Sequence, residues 1–177
     1  KEYQARVALE TYLQELGLQV ETERSFGITA LRWAAMQAGL GVIRKNNFFY
    51  TESGSWVFLE AFLVDQQMEE KAQKKLRPCP PNCGLCMKAC PTSSLSGPYT
   101  MSRATCVSCL TTWDGDDLTQ NPHSREMGTW IFGCDARQEV CPYNREKWRE
   151  AEDFPGLSSL LVALRLEHIL LLAAECL

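Results

Sequence analysis

The chain is 177 residues long, 45% hydrophobic and 23% charged, with 18 Lys+Arg against 22 Asp+Glu and a net charge of −4. Such a length holds one good domain or two small ones, and the balance excludes both a disordered chain and a global basic field that would recruit nucleic acid. Nine cysteines is an odd number, so a fully paired intramolecular disulfide framework is excluded too.

The opening KEYQARVALE is charged and amphipathic, unlike a secretory signal. Tyr3, Val7, Leu9, Leu13 and Leu16 predict a first helix closed by Gly17, followed by a short extended run over 18–20. Residues 29–37 predict a second helix, apolar through Ala30, Leu31, Ala34 and Ala35 and stopped by Gly39. Gly39 and Gly41 have no third glycine at the required offset and follow their helix, so they are not a dinucleotide fingerprint. The aromatic and β-branched runs 46–51 and 55–63 predict a β-hairpin around Glu52, Ser53 and Gly54. Residues 66–77 read as a charged connector, which places a domain boundary near Arg77.

Residues 78–145 interleave Pro78, Pro80, Pro81, Pro91, Pro98, Pro122 and Pro142 with cysteines, so their regular elements must be short and something besides apolar burial must staple them. Residues 146–177 predict a helical tail of two helices around Pro155 and Gly156. The stretch 157–177 is interrupted by Arg165, Glu167, His168 and Glu175, which predicts a packed helical pair and a soluble protein, not a membrane anchor. The expected fold class is α+β: a partial α/β lobe over 1–77, a loop-rich ferredoxin-like domain over 78–145 and the helical tail.

Eight of the cysteines fall between positions 79 and 141. Bacterial ferredoxins carry C-x2-C-x2-C-x3-C-P, whose fourth cysteine serves the other cluster in two-cluster proteins. Cys83, Cys86, Cys90 and Pro91 fit that run, with the first cysteine displaced to Cys79. The second half departs further. The position four before Cys141 is Arg137, and the count closes only if Cys109 supplies the missing thiolate. One four-iron cluster is therefore assigned to Cys79, Cys83, Cys86 and Cys141, the other to Cys90, Cys106, Cys109 and Cys134, which leaves Cys176 as an ordinary apolar residue. A four-cysteine zinc site on Cys83, Cys86, Cys106 and Cys109 is the alternative, since 19 residues separate the two pairs as in a zinc ribbon. Lys88, Arg103 and Arg137 lie near these loops and could offset cluster charge.

The string from Ala38 to Gly41, then Ile43, Lys45, Asn46, Gly54, Ser55, Trp56, Leu63 to Asp65, the cysteine run, Pro98 to Thr100, Cys106, Gly133 to Asp135 and Cys141 to Asn144 resembles the epoxyqueuosine reductases, a family related to corrinoid-dependent reductive dehalogenases. The resemblance covers roughly residues 28–165 in the family's order. It implies a cytoplasmic oxidoreductase in which two four-iron clusters relay electrons to a cobalamin held by the preceding domain, acting in queuosine formation in tRNA. It makes Lys45, Asn46 and Tyr99 candidate corrinoid contacts. Two departures stand out: Ser25, with Glu23 off register, occupies the place of the family's acid, and Arg44 replaces a glycine.

The expected function is therefore an electron-transfer module fed by a reduced carrier such as ferredoxin or flavodoxin, with tRNA or a small molecule as further partners. No residue is singled out as catalytic. A metal-stabilised binding module without catalysis, or a tRNA-modification accessory protein, is the alternative. His123 and His168 are lone histidines with no catalytic partner pattern and are expected to be structural.

Overall fold

The computed structural model describes residues 2–22, 30–68, 76–113 and 117–147. Ser25, Glu23, the middle of the 66–77 connector, and the tail with His168 and Cys176 lie outside the described residues, as does the start of the second predicted helix. The described residues up to Lys147 form one compact unit.

Helix α1 spans Glu2–Glu15, built largely from Ala, Leu, Gln, Glu and Arg, which lose little side-chain freedom in a helix. Gly17, at φ +83°, ends it: the N–H groups of Gly17 and Leu18 return to the carbonyls of Gln14 and Leu13, capping groups the helix leaves open. Its apolar stripe is not a core face, because Tyr3 and Leu16 are 68% and 60% exposed. Helix α2 spans Leu31–Gln37 and ends the same way at Gly39, with Leu40 N–H on Ala35 and Gly39 N–H on Met36.

Strands β1 (Val20–Thr22), β2 (Val42–Ile43), β3 (Phe49–Tyr50) and β4 (Phe62–Val64) make two antiparallel pairs, β1 with β4 and β2 with β3. The registers set Glu21 opposite Leu63, and Val42 and Ile43 opposite Tyr50 and Phe49. This corrects the predicted hairpin. The turn at 52–54 exists, with Thr51 and Gly54 exchanging backbone hydrogen bonds, but it does not join two paired strands. Gly54, at φ +92°, instead delivers Ser55 to Asn144 and Gln138 in the cysteine-rich segment. The partner of β3 is the upstream strand β2, closed by a turn in which Arg44 N–H meets Phe48 O and Asn47 N–H meets Arg44 O.

Beyond position 78 the elements are short, as the prolines require: α3 (Leu85–Lys88), α4 (Val107–Thr112) and α5 (Ala136–Glu139), with single 3-10 turns at Arg103–Thr105 and Pro142–Asn144. Their apolar core is small, with Val107, Leu110 and Met127 buried under Leu118, Trp130 and Cys134. The N-terminal lobe and the cysteine-rich segment are stitched by polar contacts. Asn46 Nδ2 donates to Arg137 O at 3.0 Å, and Gln138 Nε2 donates to Ser55 Oγ at 2.9 Å. Among the described residues no helix is long and apolar enough to cross a membrane.

Candidate metal centre

Cys79, Cys83, Cys86 and Cys141 line one cavity of about 120 Å³. Cys86 sits on α3, Cys79 and Cys83 on the loop leading into it, and Cys141 follows α5, which packs on α3. Pro80, Leu85 and Pro142 make the wall apolar. Burial pushes the Cys86 thiol up, N–H donors of Met87 and of Cys86 itself oppose this, and Cys79 and Cys83 add like-charge repulsion. Thiolates crowded together repel one another and are stabilised by a cation among them, so the donor set fits a cationic metal core.

Cys90, Cys106 and Cys134 line a second, tighter cavity of about 20 Å³ with Leu95, Val107 and Arg137. Cys109, on α4, is not a wall of it but is in side-chain hydrogen-bond contact with Cys106. Burial raises the Cys109 thiol most, Cys106 adds to the shift, and Arg103 opposes it. Burial likewise raises Cys134, against the N–H of Ala136 and the charge of Arg137, while Cys106 and Cys90 repel it. Arg103 and Arg137 thus do face the thiols. Arg137 is held there by the Phe48 ring, whose centroid is 4.6 Å from its guanidinium carbon, and by Met101 Sδ at 3.1 Å.

All eight of these cysteines are free thiols. Among the described residues no group of three or more His, Cys, Asp or Glu side chains is arranged to hold a single metal ion.

The loops are held from the N-terminal lobe. Lys45 Nζ donates to the carbonyls of Pro80 (2.8 Å), Pro81 (2.6 Å) and Cys83 (3.1 Å), which uses all three ammonium protons on the Cys79–Cys83 loop. Asn46, 1% exposed, donates to Tyr50 Oη and Arg137 O and accepts from Phe48 N–H. Neither side chain is a solvated turn residue, and neither keeps a free donor for a bound corrinoid. Tyr99 does face solvent, in the left-handed region at φ +61°, and its N–H donates to Lys45 O at 2.9 Å. His123 pairs with Glu126 at 2.9 Å, a local surface contact.

Sequence reasoning assigned no role in the site to four residues that build it: Tyr50, Ser55, Gln138 and Asn144. Asn144 Nδ2 donates to Ser55 Oγ and Gln138 O, and Tyr50 Oη lies against Cys141. Burial drives the Tyr50 phenol far above its ordinary range, with Cys141 adding to the shift, so it stays neutral. The sequence signal for Ser55 and Asn144 was their place in the strings that carry the family resemblance; Tyr50 and Gln138 had none beyond polarity in otherwise apolar or cysteine-flanked runs.

Residues 79–144 match the family described as the 4Fe-4S double cluster binding domain. The chain is 36% identical to an epoxyqueuosine reductase of Prochlorococcus marinus over 115 residues, 64% of this chain and 36% of that protein. It is 31% identical to one of Staphylococcus aureus over 137 residues, 77% of this chain and 35% of that protein. The fold superposes on the structure of epoxyqueuosine reductase from Streptococcus thermophilus with a TM-score of 0.74 at 27% identity, covering 88% of this chain and 43% of that one. An epoxyqueuosine reductase crystallised with an epoxyqueuosine-modified tRNA-Tyr stem loop gives a TM-score of 0.75 at 26% identity, covering 88% and 42%. The chain spans about a third of the length of the curated relatives it matches.

Proposed function

Because the chain is a homologue of the epoxyqueuosine reductases with a 4Fe-4S double cluster binding domain over residues 79–144, we propose that it is the electron-relay part of an oxidoreductase of that class. The reading holds one four-iron cluster on Cys79, Cys83, Cys86 and Cys141 and the other on Cys90, Cys106, Cys109 and Cys134. The observation that supports it best is the lining of one cavity by four cysteines drawn from opposite ends of the segment. When bound, four-iron clusters supply one-electron carriers whose potentials depend on hydrogen bonds to sulfur, charge and burial over about −700 to +450 mV.

The chain's own contribution is placement. Cys86 and Cys90 on and after α3 serve different cavities, and so do Cys134 and Cys141 before and after α5, so two short helices tie both sites into one rigid relay. Prolines after Cys90 and Cys141 fix the backbone where each chain end crosses over. Lys45 and Asn46 act as brackets for the ligand loops. Their engaged donors do not fit direct corrinoid contact, so of the three candidate corrinoid contacts only Tyr99 is left. The electron source belonging to this reading is a carrier of the ferredoxin or flavodoxin class, and tRNA is the macromolecular partner, by analogy with the relative crystallised on a tRNA stem loop.

Iron, sulfide and zinc content of an anaerobic preparation tests this. About eight irons and eight sulfides per chain, with visible absorption that dithionite bleaches, are expected for two four-iron clusters. Stoichiometric zinc without sulfide would replace the relay by a structural metal module.

A further inference from the structure

Arg44 opens the turn between β2 and β3 and is 3% exposed. Its guanidinium carbon lies 3.4 Å from the ring centroid of Tyr143 and 5.0 Å from that of Tyr50, so the cation rests against two aromatic rings. Nε and Nη1 are buried and have no hydrogen-bond partner among the described residues. A guanidinium cannot shed its proton to relieve this, and burying it without a counter-group is costly.

The same residue lines the cavity of Cys79, Cys83, Cys86 and Cys141. Both of its aromatic neighbours bear on Cys141: Tyr143 stands two positions on, and the Tyr50 hydroxyl contacts the Cys141 side chain. A buried cation with two idle N–H donors in the wall of a four-thiol cavity calls for an anion in that cavity, and thiolates around an iron–sulfur core are anionic. Resting on the two-cluster reading, we propose that Arg44 is a positioning residue that makes this cluster easier to reduce. One electron enters from a one-electron carrier of the ferredoxin or flavodoxin class, no proton moves, and the site gains one negative charge. The guanidinium charge and its N–H donors favour that more negative state.

The test is an EPR-monitored redox titration of the whole chain, loaded anaerobically, as wild type, Arg44→Met and Arg44→Lys, with iron and sulfide measured first. Arg44→Met is expected to shift the reduced-to-oxidised ratio of one cluster at least tenfold toward oxidised at fixed potential, which is about 59 mV for one electron, and to leave the other cluster alone. Arg44→Lys, which keeps the charge without the planar fork, should fall between. Unchanged midpoints in fully loaded Arg44→Met overturn the proposal and leave the two-cluster reading intact, whereas a wild type without iron and sulfide overturns that reading instead. Should Arg44→Met fail to load, pulsed EPR of the reduced arginine-15N-labelled chain decides. A 15N coupling in the wild-type-minus-Arg44→Lys difference spectrum, where the contributions of Arg103 and Arg137 at the other cluster cancel, upholds the placement of Arg44 on the cluster, and a blank difference overturns it.

Discussion

The backbone N–H of Ser55 donates to Asn144 Oδ1 at 2.8 Å, joining the residue that leaves the 52–54 turn to the one that closes the Cys141 turn. Asn144 is 6% exposed and also donates to Ser55 Oγ and to Gln138 O. Asn144→Leu would strand these groups in a dry site, where each unsatisfied one costs about 1–3 kcal/mol. A loss of about 3 kcal/mol in unfolding free energy is expected by chemical denaturation. A change under about 0.5 kcal/mol, the level of an ordinary surface substitution, would show that the junction bears no strain.

Lys45 holds three consecutive-loop carbonyls at Pro80, Pro81 and Cys83. Lys45→Met keeps the stem and removes the anchor, so the loop that carries Cys79 and Cys83 loosens. Loss of roughly half the iron during gel filtration, from one of two four-iron sites, is the expected result. Cobalamin affinity, measured by absorbance titration, should be the same in Lys45→Met as in wild type, since the ammonium has no donor to spare.

A Cβ on Gly41 would stand 2.1 Å from Tyr50 O and 2.8 Å from Phe49 Cζ, which is closer than atoms can approach. Gly41→Ala must therefore push β2 from β3 and move Arg44 and Lys45 with it, at a cost of about 3 kcal/mol or more. Gly128 is the control. At φ +64° a Cβ there meets no atom within 4 Å, so Gly128→Ala should cost only the left-handed backbone penalty of about 1–2 kcal/mol. Thermal melts of the two variants separate close packing from backbone strain.

Of the eight proposed ligands, Cys109 has the least support from cavity geometry, since it touches Cys106 without lining the second cavity. If it closes that site, Cys109→Ala loses roughly half the iron, while Cys176→Ala loses none, because two four-iron clusters need eight thiolates and not nine. Iron analysis of the two purified variants reads this directly. Full iron retention in Cys109→Ala would hand the fourth position to another donor.

Stripping the metal should unfold the cysteine-rich segment before the rest. Its described apolar core rests on Val107, Leu110 and Met127, too small to hold so many proline-broken loops. Limited proteolysis after oxidative removal of iron should cut within 78–145, and protection equal to that of the loaded chain would show that packing alone suffices.

The cysteine spacing carried the chemistry, because ligand runs are local and their intervals follow from the size of a cluster. Gly17 and Gly39 were legible for the same reason, since a left-handed helix end is a one-residue requirement. The partner of β3 was not. Aromatic and β-branched runs on either side of Gly54 satisfy the hairpin pattern equally well whether or not the second run pairs, and Ser55 was drawn away by Asn144 and Gln138 from far along the chain.

Lys45, Asn46 and Arg44 mark the same boundary. Their polarity in a short loop reads as solvation or as ligand contact, and nothing local distinguishes those from burial against a segment dozens of positions later. The sequence alone determined which atoms could bind iron, because a thiolate's chemistry travels with its residue. Only the tertiary structure decided what anchors the cysteine loops, that Cys109 stands off the wall of the second cavity and that Arg44 is buried in the wall of the first, because those are distances between parts of the chain that no local interval constrains.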